Sequence, residues 1–177
     1  MRKALELPFD PIDRAARTWE RRFGPSSAMA AVTSIMRAQQ ILLGELDGLL
    51  RPYGLTFARY EALVLLSFSR AGALPLRVMG ERLMVHPTSV TNTVDRLEAQ
   101  GMVVRRPNPE DGRGRLAEIT QRGRDAVRVA TRDLMTAGFG MAGYSDEQLG
   151  ELFSLLRGLR LTAGDFVTGD LSAAPAD

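Results

Sequence analysis

His86-Pro87-Thr88-Ser89-Val90-Thr91-Asn92-Thr93-Val94-Asp95-Arg96-Leu97-Glu98 is the stretch from which the rest of the chain can be read. Val90, Val94 and Leu97 recur at the spacing of one helix face, so they form the side that packs inward. Pro87 suits the first turn of such a helix, where its missing N–H removes no bond, and Gln100-Gly101 closes it. Thr88, Ser89, Thr91, Asn92, Asp95 and Arg96 are left facing outward. Short hydroxyl and amide side chains are mediocre helix formers, because they compete for backbone hydrogen bonds. A face meant only for water is ordinarily filled with Glu, Lys and Gln. Thr, Ser and Asn make sense there if the backbone must approach another surface closely and meet its donors and acceptors.

The neighbouring residues say which surface. Upstream, Pro75 stands where a first-turn proline opens a short helix carrying Val78, Met79 and Leu83. Downstream, Val103-Val104-Arg105-Arg106 and Arg115-Leu116-Ala117-Glu118-Ile119 read as two strands around the turn residues Pro107-Asn108-Pro109-Glu110-Asp111-Gly112. Asp111 precedes Arg113 by two residues, so its carboxylate can hold that guanidinium and aim it outward. An arginine at a hairpin tip suits the narrow, strongly negative minor groove. A short helix, a break, a polar-faced helix and an arginine-bearing hairpin, in that order, predict a winged helix-turn-helix. Asn92 suits adenine, and Arg96 suits guanine or phosphate. The expected DNA contacts are Pro87, Thr88, Ser89, Thr91, Asn92 and Arg96 on the helix, with Arg105, Arg106, Asp111, Arg113 and Arg115 on the wing.

Longer helices flank this module. Ile12, Ala16, Trp19 and Phe23 share one side of a helix over Asp10 to Phe23, after a stretch of little periodicity expected to fray. Gly24-Pro25-Ser26-Ser27 breaks it and supplies the cap of a long helix from Ala28 to Leu50, striped by Val32, Ile35, Leu42, Leu46 and Leu49. Thr56 caps a helix with Tyr60, Leu63, Val64 and Leu66 that ends near Ala71-Gly72. Thr120 opens another, through Ala130 and Leu134. Ser145-Asp146-Glu147-Gln148 is a capping box before a last helix bearing Leu149, Leu152, Leu155, Leu156 and Leu159. The tail from Thr168 is small and polar, and disorder is expected there. The flanking helices carry more leucine than one copy of this size can cover, so packing on a second copy is expected.

Composition narrows the field. The chain has 177 residues, 45% of them apolar, with a net charge of only +2, so basic residues matter by placement rather than by sum. Lys3 is the sole lysine; every other basic side chain bar His86 is an arginine, whose planar fork suits phosphate and guanine. There is no cysteine, which removes disulfides and thiolate metal sites and fits a reducing cytoplasm. The N-terminus lacks a charged-then-apolar signal pattern, and no apolar run reaches the roughly 18 residues of a membrane span. A cytoplasmic protein without membrane attachment is the expectation.

The chain resembles the MarR-type winged-helix transcriptional regulators over roughly residues 28–161. The resemblance is strongest in Leu55-Thr56-Phe57-Ala58-Arg59-Tyr60-Glu61-Ala62-Leu63, in Val90 to Gly101, in Arg105-Arg106-Pro107 and in Asp111-Gly112-Arg113. Glu118-Ile119-Thr120-Gln121-Arg122-Gly123 matches that family's strand-to-helix junction. The resemblance implies a homodimer joined by its first and last helices and a recognition helix from Pro87. It also implies a wing at Asp111-Gly112-Arg113 and a cleft that takes a small anionic, often phenolic, effector. The Trp19 segment departs from the pattern, since only some members carry an extra N-terminal helix. His86 departs too, standing where many members have a small polar residue.

Other signals lead nowhere. Gly138-Phe139-Gly140-Met141-Ala142-Gly143 matches a dinucleotide fingerprint but follows a helix instead of a strand, so it reads as a helix-helix turn. His86 is the only histidine, which leaves no multi-histidine metal site, and capping or the groove edge suits it better than a pH switch. Trp19, Arg59 and Tyr60 are the candidate effector contacts, with Met36 and Phe57 as further lining and Arg59 or Arg21 as the anion anchor; aromatic residues at helical spacing are otherwise core. No catalytic residues, metal or cofactor are expected.

The expected fold class is therefore mainly α with a small β-hairpin wing, a winged helix-turn-helix flanked by long dimerisation helices. Its expected divisions are residues 1–55 as N-terminal dimerisation helices, 56–120 as the DNA-binding lobe, 121–167 as C-terminal dimerisation helices, and 168–177 as a tail. The expected function is sequence-specific regulation of transcription, as a repressor, by a homodimer on a palindromic double-stranded operator, with release by a small effector. The alternatives are a winged-helix adaptor between proteins and a small-molecule-binding protein without DNA binding.

Overall fold

The computed structural model describes residues 5–109 and 111–167, with backbone alone for residues 112 and 113. In chain order these are α1 (Pro11–Phe23), α2 (Ser27–Leu50), α3 (Phe57–Phe68), β1 (Ala73–Pro75), α4 (Leu76–Leu83), α5 (Pro87–Ala99), β2 (Val103–Asn108), β3 (Asp111–Ile119), α6 (Gln121–Thr136) and α7 (Asp146–Ala163). The expected mainly helical fold with a wing is what is seen. The expected tail, residues 168–177, lies outside the described residues.

Local chemistry sets most boundaries. The Asp10 carboxylate accepts the Ile12 N–H at 2.8 Å and starts α1. Thr120 Oγ1 accepts the Gly123 N–H at 3.1 Å and starts α6. Ser145 and Gln148 close a full capping box on α7. Two caps differ from expectation. Ser26 holds the cap position of α2 but donates its hydroxyl to Glu20 Oε1 at 2.7 Å, because α1 folds back beside it. Thr56 stands at the cap of α3, yet the Asp47 carboxylate from α2 accepts the Phe57 N–H at 2.7 Å. That leaves the Thr56 hydroxyl to accept from Arg59 Nε at 3.2 Å. Helix α3 also stops earlier than expected, at Phe68, where Ser69 turns extended.

The sheet has one strand more than the expected hairpin. Its order is β1-β3-β2, all antiparallel, with Leu74 opposite Ala117 and Arg105 also opposite Ala117 on the other side. Pro75 is thus the last residue of an edge strand and the cap of α4, one place before the first helical turn. The hairpin is tighter than a six-residue loop. Pro107 and Asn108 belong to β2, Asp111 and Gly112 to β3, and a register shift between Pro107 and Asn108 absorbs the proline. Strand β2 is an edge, so a proline there forfeits no ladder bond on its outer side.

The core gathers around α3. Leu50, Leu63, Leu66, Met79, Val90, Val94, Leu97, Val103 and Leu134 are fully buried, so helices from both ends of the chain and the winged module share one interior. Tyr53 and Tyr60 reinforce the joint to α6, through hydrogen bonds to Asp133 and, at 2.9 Å, to Thr131 Oγ1. Helix α7 contributes no buried residue. Its Leu152, Phe153, Leu155 and Leu159 are exposed, as are Val32, Ile35, Met36 and Leu43 on α2. No helix among the described residues is long and apolar enough to cross a membrane.

Candidate nucleic-acid interface

Helix α5 presents the two faces its sequence dictates. Val90, Val94 and Leu97 are at most 2% exposed, while Thr88, Ser89, Thr91, Asn92, Asp95 and Arg96 face solvent. His86 caps it: the imidazole Nδ1 accepts the Thr88 N–H at 3.2 Å, and the His86 carbonyl takes the Ser89 N–H at 2.8 Å. That bond leaves Nε2 as the ring nitrogen that carries a proton in the neutral form. The Thr91 hydroxyl donates to the Pro87 carbonyl at 3.2 Å, which holds its rotamer. The side chains of Asn92 and Arg96 make no hydrogen bond or ion pair with any described residue.

Beside this face runs a groove of about 730 Å³, lined by Thr56 and Arg59 of the α3 start and by Asn92, Thr93, Asp95, Arg96 and Ala99 of α5. Arg59 is steadied at its rim by Thr56 Oγ1 and by the Gly54 carbonyl at 3.1 Å. The Gly54 carbonyl also accepts Gln100 Nε2 at 2.8 Å, so the turn before α3 is tied to the end of α5.

The wing arginines divide. Arg115 is exposed, and its side chain has no partner among the described residues. Arg106 donates from Nε to Glu118 Oε2 at 3.0 Å across β2 and β3, with 60% of its side chain exposed. Arg105 does not reach outward as expected. It turns back on α5, with one arm of its guanidinium on Asp95 and the other on Glu98, and its side chain is 22% exposed. Burial lowers its pKa, but the hydrogen bonds to the two carboxylates outweigh that and hold it raised. The Arg113 side chain lies outside the described residues, and so does its expected pairing with Asp111. The Asp111 carboxylate itself folds over Gly114, where a Cβ would come within 2.9 Å of Oδ2.

Trp19, Arg59 and Tyr60 do not meet in one pocket. Tyr60 is 5% exposed in the core against α6, Arg59 lines the groove by α5, and Trp19 packs at a tilt against Phe23 of α1, ring centroids 4.9 Å apart. Consecutive residues of a helix point about 100° apart, which is why Arg59 and Tyr60 part company. Two residues escaped the sequence reading. Glu61 is exposed to solvent on one side but borders a small, mostly apolar cleft with Met79, Leu83 and Val85, and this partial desolvation raises its carboxyl above the usual range. Gly123 lies where a Cβ would stand 2.3 Å from the Met102 carbonyl oxygen. The Gly138 to Gly143 segment is a helix-helix turn, built on a single 3-10 turn between α6 and α7.

A core shared by α2 to α6, a polar outer face on α5 and a three-stranded sheet ending in a basic hairpin define a winged helix-turn-helix protein of the DNA-binding kind. Comparison with known proteins narrows this. Residues 53–114 match the model of the MarR family. Sco5413, a MarR family transcriptional regulator from Streptomyces coelicolor, is 64% identical, with a TM-score of 0.74 over 79% of this chain and 97% of that one. Sco3205, a MarR family regulator from the same organism solved in complex with DNA, is 25% identical, with a TM-score of 0.69 over 84% of this chain and 92% of that one. CouR from Rhodococcus jostii RHA1, solved bound to p-coumaroyl-CoA, is 26% identical, with a TM-score of 0.63 over 77% of this chain and 92% of that one. The chain belongs to the MarR family and is a DNA-binding transcriptional regulator of that type.

Proposed function

We propose that the protein acts as a homodimeric repressor on an inverted-repeat operator. The observation that carries this is the face of α5, where Thr88, Ser89, Thr91, Asn92 and Arg96 stand exposed around a stripe of buried valine and leucine. In this reading Asn92 and Thr91 read base edges, Pro87, Thr88 and Ser89 let the helix backbone approach, and Arg96 meets guanine or phosphate. Arg106, Arg113 and Arg115 carry the wing's contacts, and Asp111 orders the hairpin tip. The DNA complex of Sco3205 supports a duplex partner.

Residues 56–120 serve as the DNA-binding lobe, while 1–55 and 121–167 join the two copies through the leucine faces of α2 and α7. A two-fold axis in the protein then calls for a two-fold axis in its site. A small anionic or aromatic effector releases the dimer from DNA; the ligand held by CouR supports a cleft of that kind in this fold. The protein performs no catalysis and works in the cytoplasm, where its operator lies. The test is a gel shift of the purified protein on the DNA upstream of its own gene, with excess nonspecific competitor. A shift that survives competitor is expected. Binding that competitor removes completely would favour an adaptor or ligand-binding role.

A further inference from the structure

Asp95 and Glu98 stand nearly one turn apart on the exposed side of α5. On a helix that meets a polyanion, each carboxylate repels the phosphates, and each repels the other. Arg105 answers both from a different element. Its guanidinium fork spans the pair, its NH2 group lies 3.5 Å from the Thr91 carbonyl, and its backbone N–H donates to Glu98 Oε1 at 3.1 Å. Its side chain is 22% exposed, against 60% for Arg106 next to it. One guanidinium shared by two carboxylates leaves no positive charge to offer a phosphate.

The same contacts have a mechanical consequence. They run from β2 to the middle and end of α5, so they set the spacing between the helix destined for one groove and the hairpin destined for the next. We propose that Arg105 is a positioning residue of the DNA interface: it staples wing strand β2 to recognition helix α5 and holds the Asp95 and Glu98 carboxylates off the duplex, touching no phosphate itself. This rests on the DNA-binding reading above. A lysine could not replace it, because a single ammonium lacks the fork that reaches both partners.

Salt dependence tells a staple from a phosphate contact. Affinity for a duplex recovered by selection is followed by fluorescence anisotropy from about 50 to 250 mM salt, for the wild type, for Arg105→Gln, and for a triple variant adding Asp95→Asn and Glu98→Gln. Arg105→Gln is expected to bind about tenfold more weakly, with the slope of log affinity against log salt unchanged. The triple variant, which no longer has carboxylates to restrain, regains most of the loss. A slope shallower by about 0.9, the mark of one lost phosphate contact, with no recovery in the triple variant, would overturn the proposal. So would undiminished binding by Arg105→Gln. If that single variant fails to fold, the triple variant decides alone: an unchanged slope upholds the staple and a shallower one refutes it. A wild-type protein that binds no duplex at all would refute the DNA-binding reading itself, and the staple with it.

Discussion

Replacing Gly123 by alanine sets two effects of opposite sign against each other, and the structure says which prevails. Gly123 is the third residue of α6, a position where alanine by itself would stabilise the helix by about 0.5–1 kcal/mol. Against that, the new Cβ would stand 2.3 Å from the Met102 carbonyl oxygen and 2.8 Å from Ile119 Cγ1. Neither neighbour is free to yield. The Met102 carbonyl accepts the Thr120 N–H at 3.0 Å, the Thr120 hydroxyl donates to the Gly101 carbonyl at 2.8 Å, and Ile119 is 4% exposed. Overpacking a site of this kind costs about 1–3 kcal/mol, and breaking the Met102–Thr120 bond adds about 1 kcal/mol. Subtracting the helix gain leaves Gly123→Ala about 2 kcal/mol less stable than the wild type. Urea unfolding followed by circular dichroism, at one fixed protomer concentration, measures it. A variant as stable as the wild type, or more so, would mean that the start of α6 is not clamped between β2 and β3, and the account of this junction would fall.

Three further outcomes follow from other parts of the molecule. His86→Ala removes the cap of α5 and should cost about 1 kcal/mol, whereas His86→Asn keeps an acceptor for the Thr88 N–H and should cost clearly less; equal losses in thermal unfolding would rule out capping as the role. Leu155 and Leu159 are 76% and 58% exposed in the single chain, so Leu155→Glu with Leu159→Glu should yield folded monomers in sedimentation velocity, and a dimer that persists would contradict the assignment of α7. Partial desolvation at the apolar cleft raises the Glu61 carboxyl, which means the fold mildly penalises its ionised form. The stability contributed by the protonated form is present in acid and is lost as pH rises through the raised value. Glu61→Gln should therefore unfold at a slightly higher temperature than the wild type at neutral pH and lose that advantage toward about pH 4; a pH-independent difference would refute the desolvation argument.

How much of this could be read beforehand depends on the range of the interactions involved. The stripe of Val90, Val94 and Leu97, the Pro87 start and the capping box at Ser145 are local, and each formed as its residues required. Strand β1 was invisible because Ala73-Leu74-Pro75 has no alternation to read; it exists only through its pairing with Leu116 to Glu118. The Asp47 cap on α3 joins two helices, so no pattern within α3 could announce it. Arg105 looked like its neighbours in a basic hairpin, and only the packing of β2 along α5 turns it inward toward Asp95 and Glu98. Tyr60 and Trp19 illustrate a different limit: an aromatic residue on a helix reads alike whether it fills a core or lines a cleft.

The central claim, that two copies of α5 and of the wing read duplex DNA about a shared two-fold axis, is tested most directly by selecting bound sequences from a random double-stranded library. The account predicts enrichment of an inverted repeat whose half-site centres lie one helical turn, about 34 Å, apart. Recovery of unrelated sequences, or of a single half-site without a symmetric mate, would contradict it.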